Sequence, residues 1–198
     1  MTKLILASNS ARRQQLMRDA GFEFEVNVRE VDESFDDSIP VEDVAEYLAK
    51  KKNAMYREFF PKDVILTADT TVIANDRILG KPGDKEEAFH MIKKMAGEIH
   101  EVVSGVSISS PENEVSFSDI VEVDLSSLSD DEINFYVENY KPLDKAGAYG
   151  IQEWIGMIGI SKIKGSFYTV MGLPIHKVYQ ILKNEFEIVP FQNLRHDE

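Results

Sequence analysis

The stretch VILTADTTVIANDRILGKP (residues 64–82) predicts a β-hairpin with charged residues on both arms. Its first apolar run is rich in branched residues, which is typical of a buried strand. Asn75 and Asp76 separate two apolar segments, and both residue types tolerate the positive φ of a tight hairpin turn. The hairpin therefore carries Asp69 on its first arm and Lys81 at the end of its second arm, and we expect the two to be roughly level.

Asp69 is the unusual residue of this stretch, because a carboxylate inside an apolar strand is costly unless it faces a cleft, a cation or a metal. Thr70 and Thr71 follow it before the apolar run resumes. Two interpretations stay open from these residues alone. Asp69 is either a functional carboxylate in a cleft or a side chain that bonds backbone groups near the end of the strand.

Composition restricts the class of protein. The 198 residues are 43% hydrophobic, which suffices for one large domain or two small lobes with a real core. The net charge of −13 argues against binding to a nucleic acid polymer or an anionic membrane. The absence of cysteine excludes disulfides, thiolate metal sites and a cysteine nucleophile. Because the sequence offers no signal peptide or membrane span, we expect a cytoplasmic protein.

The amino-terminal segment predicts an anion site. Ser8 or Ser10 can cap a helix that ends at Gly21. Arg12 and Arg13 fall in the first turn of this helix, where the helix dipole disfavours cations. Capping hydroxyls, free backbone N–H groups and guanidinium groups together can bind a phosphate. The alternative is a pair of solvated arginines, but that position is unfavourable for stability alone, so we favour the anion site.

A second helix is predicted over residues 39–60 and is entered through Pro40. Lys52 falls within its apolar stripe, whereas Lys50 points to the far side. A lysine in a buried stripe must extend its ammonium to solvent or meet an anion. Lys52 is therefore a candidate anion ligand, and Lys50 fits an ordinary surface lysine. The stripe consists of Val44, Leu48, Met55 and Phe59.

The stretch DKAGAYGIQ (residues 144–152) predicts a loop that can bring its backbone close to a ligand, because it is small and contains glycine. An ordinary glycine loop is the alternative. Glu33 lies in an acidic loop and ranks low by itself, because such residues are usually solvated. His90 and His100 lack metal-ligand spacing and are predicted to be structural.

The remaining patterns predict an alternation of strands and helices, with capping boxes at Asp84 and Ser129 and a frayed polar tail over residues 193–198. With no repeat, linker or clear boundary, residues 1–198 are predicted to form a single domain. The other predicted strands span residues 3–7, 22–28, 99–109, 114–125 and 155–163. The other predicted helices span about 130–139 and 175–186, and residues 165–174 are predicted as a loop.

Several motifs together resemble the signature blocks of the Maf family of nucleoside triphosphate pyrophosphatases. The resemblance runs from Lys3 to about Leu182, and blocks in the family's order are far more specific than any one block. The blocks are SNSARR (8–13), ADT (68–70), GKP (80–82), GEIH (97–100), DKAGAYGIQ (144–152) and GLP (172–174).

The resemblance implies an α/β fold with a central mixed β-sheet, flanking helices and two lobes around a cleft, similar to inosine triphosphate pyrophosphatases. It implies hydrolysis of a nucleoside triphosphate between the α and β phosphates, with Mg²⁺ or Mn²⁺ as cofactor. The form of residues 144–152 resembles the branch that acts on dTTP and UTP. The alternatives are a 7-methyl-GTP pyrophosphatase of the same family and a non-enzymatic regulator of septum formation. The family also suggests a homodimer.

The resemblance implies roles for individual residues. The general base matches Asp69, and a divalent cation would be held by Asp69 and Glu33. The resemblance thus makes Glu33 a candidate metal ligand, which its loop position alone did not. The positions that set the nucleobase preference match Arg12, Thr70 and Gln152. The phosphate-binding residues match Ser8, Arg12, Arg13, Lys52 and Lys81.

Elementary chemistry agrees with these roles. A triphosphate is strongly anionic, and a protein of net charge −13 repels it unless cations converge locally. Water attack at the α phosphorus needs an activated water and charge neutralisation, which a carboxylate with Mg²⁺ or Mn²⁺ supplies. Three departures from the family pattern are Ala11 for a usual proline, Glu153 for a usual glycine and Thr169 for a usual asparagine. Glu153 bears on the shape of the loop that carries Gln152.

Overall fold

A seven-stranded mixed β-sheet forms the centre of residues 2–191, the part of the chain that the computed structural model describes. The predicted tail at residues 193–198 lies outside this part. The strands are β1 (Leu4–Leu6), β2 (Glu25–Val26), β3 (Val64–Ala74), β4 (Arg77–Leu79), β5 (Ile99–Ser109), β6 (Glu114–Leu125) and β7 (Ile160–Lys164). The helices are α1 (Ala11–Asp19), α2 (Val44–Phe59), α3 (Lys85–Met95), α4 (Asp130–Tyr140), α5 (Trp154–Gly159), α6 (Phe167–Val170) and α7 (Ile175–Glu185), with a 3₁₀ turn at Ala146–Ala148.

Strand β3 is the axis of the sheet, whose order is β2–β1–β3–β5–β6–β7 with β4 paired to β3. On one side β3 pairs with β5 along nearly its whole length. On the other side β1 pairs with residues 64–66 and β4 pairs with residues 72–74. Residues 67–71 lie between these two pairings, so the sheet opens there beside β3. The predicted α/β class with a central mixed sheet is confirmed.

Two large apolar clusters flank the sheet. One packs α1 and α7 against β1 and β3, and Met17, Leu66 and Val178 are fully buried in it. The other packs α3 and α4 against β5 and β6 and includes Ile92 and Ile133. Burial of aliphatic side chains on this scale is the main favourable contribution to folding. Within the described residues, no helix has both the length and the apolar character needed to cross a membrane.

The predicted hairpin is confirmed in detail. Asn75 and Asp76 form its turn with φ of 51° and 57°, in the left-handed region that these residue types tolerate. The turn sets the register, because Ala74 then lies opposite Arg77. The capping box at Ser129 is also confirmed: its side chain accepts from the Glu132 N–H while the Glu132 carboxylate accepts from the Ser129 N–H.

Four predicted elements are wrong in extent or type. The segment expected as a loop over residues 165–174 contains the short helix α6 at Phe167–Val170. The strand expected over residues 22–28 is only Glu25–Val26 and is exposed. Its neighbour β1 has only three residues, so a longer pairing between the two strands cannot form. The helix expected from residue 39 begins at Val44, after a turn over residues 41–43. The strand expected over residues 155–163 is α5 followed by β7, since a short apolar run does not distinguish a buried helix from a strand.

Helix α2 lies very close to the sheet. A Cβ atom on Gly105 would lie 2.2 Å from the backbone carbon of Ala45, so only glycine permits this approach. The predicted apolar stripe of α2 is buried at Val44 and Leu48, but Phe59 at its end is 48% exposed. The guanidinium carbon of Arg29 lies 3.7 Å from the centroid of the Phe59 ring, in a cation–π contact.

Candidate functional site

A cavity of about 650 Å³ opens beside residues 67–71 of β3, where β1 and β4 leave that strand. Residues from both large apolar clusters line it, as do α1, α2 and the segment 144–152. The structure brings all the sequence-predicted site residues to this cavity: Ser8, Arg12, Arg13, Glu33, Lys52, Asp69, Thr70, Lys81 and Gln152.

A lysine and two carboxylates meet at the floor of the cavity. The Nζ of Lys52 lies 2.6 Å from Oδ1 of Asp69 and 2.7 Å from Oε1 of Glu33. The side chains of Lys52 and Asp69 are 13% and 15% exposed, whereas that of Glu33 is 55% exposed. Of the two alternatives for a lysine in this stripe, Lys52 takes the second, because its ammonium meets protein carboxylates. Lys50 is exposed, as predicted.

The charge of this cluster shifts the ionisation of Glu33. Partial burial opposes its ionisation, but the hydrogen bond and charge of Lys52 outweigh burial and lower the pKa of the carboxyl. Lys81 and Arg13 act in the same direction over a longer range. The Glu33 carboxylate is therefore an anion near neutral pH.

The structure places Lys81 at the end of the second arm of the hairpin, where it lines the cavity. The β3–β4 ladder ends at the pair Val72 and Leu79, so Lys81 lies just beyond the paired residues and is exposed at the cavity. The cation that contacts Asp69 comes from α2 instead.

The serine–arginine segment begins α1 as predicted. Ser10 is the N-cap and its hydroxyl accepts from the Arg13 N–H, while the Ser8 hydroxyl accepts from the Ser10 N–H at 3.3 Å. Arg12 lines the cavity, and within the described residues its guanidinium makes no hydrogen bond or ion pair. Arg12 is thus a cation available to a ligand at a helix N-terminus.

Arg13 differs from Arg12, because four of its five N–H donors are already used. Its Nε donates to the carbonyl of Gly172 at 2.8 Å, and its Nη1 donates to the carbonyl of Ala68 at 2.9 Å. Nη1 also donates to Ser8 Oγ at 3.4 Å, and Nη2 donates to Thr70 Oγ1 at 2.9 Å. Burial lowers the pKa of this guanidinium. Arg13 therefore ties β3 to the segment before α7.

Gln152 also lines the cavity, on a turn between the 3₁₀ turn and α5. Its side chain is exposed, and Ile151 before it is buried. The Glu153 N–H donates to the Gly150 carbonyl at 3.0 Å, which closes the turn. Gly147 in the same segment has a φ of 66° and packs on Val72, so the glycine-bearing loop is tightly packed.

Sequence reasoning missed a buried polar cluster behind Gln152. Tyr136 and Lys145 are 0% and 7% exposed, and both contact the carboxylate of Glu153. The charge of Lys145 and the position of Glu153 beside Gln152 were visible in the sequence. Their contact with α4 was not visible, because it depends on how the helix packs against the loop.

His100 is buried as predicted for a structural residue. Its Nε2 lies 2.7 Å from the hydroxyl of Tyr149, at the back of the segment 144–152. Burial lowers the pKa of His100 to about 4 and raises that of Tyr149. His100 is therefore neutral near pH 7.

A mixed sheet that opens beside a carboxylate pair, in a cavity also lined by Arg12 and Lys81, defines an α/β protein with a cleft suited to an anionic ligand. The chain belongs to the Maf family: the family profile, described as Maf-like protein, matches residues 3–185. The family resemblance stated from the sequence is thus confirmed.

The relatives agree with this assignment. A protein named dTTP/UTP pyrophosphatase from Cytophaga hutchinsonii is 46% identical over 93% of this chain and 85% of its own. Another of that name, from Parabacteroides distasonis, is 46% identical over 92% of this chain and 95% of its own. Among solved structures, the Staphylococcus aureus Ham1 protein has a TM-score of 0.42 and 16% identity over 62% of this chain and 71% of its own. That last likeness is too low to bear on function.

Proposed function

We propose that this protein hydrolyses dTTP and UTP to the nucleoside monophosphate and pyrophosphate. The observation that carries the proposal is the contact of Asp69 with Lys52 inside a cavity that also holds Arg12, Lys81 and Gln152. These residues supply a base, phosphate-binding cations and a group that can recognise a nucleobase. The names of the relatives support the same reaction and the same bases.

The phosphate chain is proposed to bind between α1 and Lys81. Arg12 offers a guanidinium without a protein partner within the described residues, and the first turn of α1 offers backbone N–H groups. Lys81 also lines the cavity and is exposed, so its ammonium can approach the anion. Arg13 has one N–H left for a phosphate oxygen, and its other donors hold Ser8 and Thr70 in place.

Asp69 is proposed as the general base. It accepts a proton from a water molecule whose oxygen forms a bond to the α phosphorus. The bond from that phosphorus to the bridging oxygen breaks, and pyrophosphate leaves. Lys52 holds the Asp69 carboxylate in a fixed position and neutralises part of its charge. A positioned base of this kind contributes about 10²–10⁴-fold to a rate.

Glu33 and Asp69 fit a divalent cation of the kind that the family implies. Their oxygens already converge on one cationic atom, Lys52 Nζ, and hard carboxylate oxygens are the ligands that Mg²⁺ and Mn²⁺ prefer. Mg²⁺ commonly takes one or two carboxylates and completes its shell with phosphate oxygens and water. When bound, the cation supplies positive charge that offsets the charge developing on the phosphate oxygens.

Three further expectations remain proposals. Residues 1–198 are proposed to form a single domain, to act in the cytoplasm on free nucleotides, and to form a homodimer. Analytical ultracentrifugation tests the last, and a monomer at micromolar concentration would overturn it.

A nucleotide panel tests the proposed function. Pyrophosphate release is measured for dTTP, UTP, dCTP, CTP, the purine triphosphates and 7-methyl-GTP, with Mg²⁺, with Mn²⁺ and with a chelator. We expect the highest kcat/KM for dTTP and UTP and loss of activity with the chelator. Release of orthophosphate in place of pyrophosphate, or a preference for 7-methyl-GTP, would overturn the proposal.

A further inference from the structure

The turn that carries Gln152 is closed by its own backbone. Glu153 N–H donates to the Gly150 carbonyl at 3.0 Å, which leaves Ile151 and Gln152 at the two central positions. Ile151 is 5% exposed and fixes one side of the turn in the core, while Gln152 projects on the exposed side, into the cavity. The direction of the Gln152 side chain therefore depends on the geometry of both ends of the turn.

One hydroxyl contacts both ends of this turn. Tyr136 lies on α4, is 0% exposed, and its hydroxyl accepts from the Gly150 N–H at 3.0 Å. The same hydroxyl donates to Oε2 of Glu153. Glu153 is the N-cap residue of α5, but its carboxylate makes no capping bond and turns back to Tyr136 instead.

Two further features hold the Glu153 carboxylate in this orientation. Its Oε1 lies 3.2 Å from the Nζ of Lys145, a buried lysine that also pairs with Asp144 at 2.8 Å. A Cβ atom on Gly150 would lie 2.8 Å from the carboxyl carbon of Glu153, so the carboxylate folds over the turn because residue 150 is glycine. Every polar atom of the Glu153 side chain thus has a partner that fixes it.

Burial raises the pKa of Tyr136, and the hydrogen bond to Glu153 acts in the same direction. The hydroxyl therefore stays protonated and remains a donor to the carboxylate across the working pH range. A neutral hydroxyl that accepts once and donates once is fully used by these two contacts.

We propose that Tyr136, with Glu153, is a positioning residue for base selection: its hydroxyl holds the turn at residues 150–153 in the geometry that presents the Gln152 amide to the uracil edge. This inference rests on the proposed function. A two-point contact between an amide and a base needs placement within about 0.5 Å and 10–20°, which an exposed side chain achieves only on a fixed backbone. Tyr136 itself lies outside the contact with the base.

The variant Tyr136→Phe removes the hydroxyl and keeps the ring. We expect the ratio of kcat/KM for UTP to that for CTP to fall about tenfold, because the turn loses the bonds at both ends and a misplaced amide no longer rejects cytosine. This ratio does not depend on the fraction of folded protein, since both substrates report on the same molecules. A merely structural tyrosine would therefore leave it unchanged.

Tyr140→Phe is the matched control. It makes the same chemical change one turn further along α4, on a ring that stacks on Tyr136 with centroids 5.1 Å apart. Within the described residues its hydroxyl makes no hydrogen bond, and it is 38% exposed. We expect the UTP-to-CTP ratio of this variant to equal that of the wild type. An equal loss in both variants would overturn the inference.

A second variant keeps the test decisive if Tyr136→Phe folds poorly. In Glu153→Gln, either orientation of the amide places an NH₂ group against Lys145 or removes the acceptor for the Tyr136 hydroxyl. We expect the ratio to fall in the same direction by a smaller factor. An unchanged ratio in Glu153→Gln overturns the inference.

Amide hydrogen exchange separates this inference from the proposed function. Both variants should exchange faster than the wild type at residues 150–153, and the Tyr140→Phe control should not. If the wild type releases no pyrophosphate from any nucleotide, the proposed function fails. Unchanged exchange in the variants would overturn the claim that the Tyr136 hydroxyl holds the turn at residues 150–153. If the wild type hydrolyses UTP and CTP equally, the pyrophosphatase function stands and the positioning role is overturned.

Discussion

The Nζ of Lys52 lies 2.6 Å from Oδ1 of Asp69, and this contact joins α2 to the central strand of the sheet at the floor of the cavity. Directly opposite Asp69 in the neighbouring strand is Gly105, whose missing side chain lets the backbone of α2 approach the sheet. The position of the cation therefore depends on a glycine that never touches the ligand cavity.

Asp69→Asn should abolish most of the turnover and leave the fold intact. The amide is of similar size but cannot accept a proton from water, so we expect kcat to fall by about 10²–10⁴-fold. Asp76→Asn, in the exposed turn of the same hairpin, makes the same chemical change and should leave kcat unaltered. Near-wild-type turnover by the purified Asp69→Asn protein would remove Asp69 from the role of base.

Lys52→Met should lower both activity and thermal stability at pH 7.5. Without the ammonium, the carboxylates of Asp69 and Glu33 face each other without a counter-ion, and removal of one partner from a part-buried charge cluster is destabilising. Lys52 lowers the pKa of Glu33, so this carboxyl should be protonated at a higher pH in the variant than in the wild type. Protonation relieves the repulsion between the carboxylates, and the difference in Tm from the wild type should therefore shrink as the pH falls toward 4.5.

Lys50→Met is the control for this variant, because Lys50 is exposed two residues earlier on the same helix. It should change neither kcat nor Tm appreciably. Equal effects of the two substitutions, or a Lys52→Met deficit that does not vary with pH, would contradict the part that we assign to the charge cluster.

Gly105→Ala should destabilise the protein by about 3 kcal/mol or prevent folding. The added methyl would lie 2.2 Å from backbone atoms of Ala45 and Glu46, which cannot move without shifting α2. Gly80→Ala is the control, since a Cβ there meets no atom within 4 Å. Chemical denaturation measures both, and a Gly105→Ala protein as stable as the Gly80→Ala protein would contradict the close approach of α2.

Long patterned segments allowed correct prediction of most of the sheet and of the α/β class. The strands Ile99–Ser109 and Glu114–Leu125 have the predicted bounds, because each is a long run of branched residues ended by a turn. Prediction was less accurate for short segments. The apolar run that begins α5 satisfies both strand and helix patterns, and the packing of Ile155 in the core decides between them.

The sequence allowed prediction of residues that line one cavity, but not of the contacts that they make there. The lysine in the α2 stripe had to reach solvent or meet an anion, and its contact with Asp69 depends on how α2 crosses β3. The double arginine suggested two equivalent anion ligands. Arg13, however, donates to the backbone carbonyls of Ala68 and Gly172, which are distant in sequence. Tertiary contacts of this kind leave no local signal in the sequence.

His100 should make stability depend on pH between about 6.5 and 4. Burial lowers its pKa from 6.5 to about 4, so the unfolded chain binds a proton in this range and the folded protein does not. The free energy of unfolding therefore contains the full contribution of neutral His100 above pH 6.5. This contribution, about 3 kcal/mol in total, is lost as the pH falls to about 4. Urea unfolding at a series of pH values measures this slope.

His100→Gln removes the titrating group, so the difference in stability from the wild type should be largest at pH 7.5 and should narrow as the pH approaches 4. His90→Gln, at an exposed position on α3, serves as the control and should follow the wild-type curve. A His100→Gln deficit of constant size from pH 7.5 to pH 4.5 would show that His100 titrates alike in the folded and unfolded states.

Gln152→Leu should erode the choice of base more than it slows hydrolysis. Uracil and thymine present two carbonyl acceptors around an N–H donor, and a glutamine amide can pair with one carbonyl and the N–H together. Cytosine presents an amine and a bare ring nitrogen at those places, so one contact becomes repulsive. A site whose polar groups are left unpaired rejects the wrong base strongly.

The wild type should accordingly prefer UTP over CTP and dTTP over dCTP, and it should discriminate little between uracil and thymine, since one methyl in a pocket is worth only about 1–3 kcal/mol. In Gln152→Leu the kcat/KM ratio of UTP to CTP should fall toward unity, because leucine offers neither base a hydrogen bond. The alternative is a Gln152 that bonds only loop backbone when substrate is bound. The variant would then lose activity on both nucleotides by the same factor, and an unchanged ratio would remove Gln152 from the specificity site.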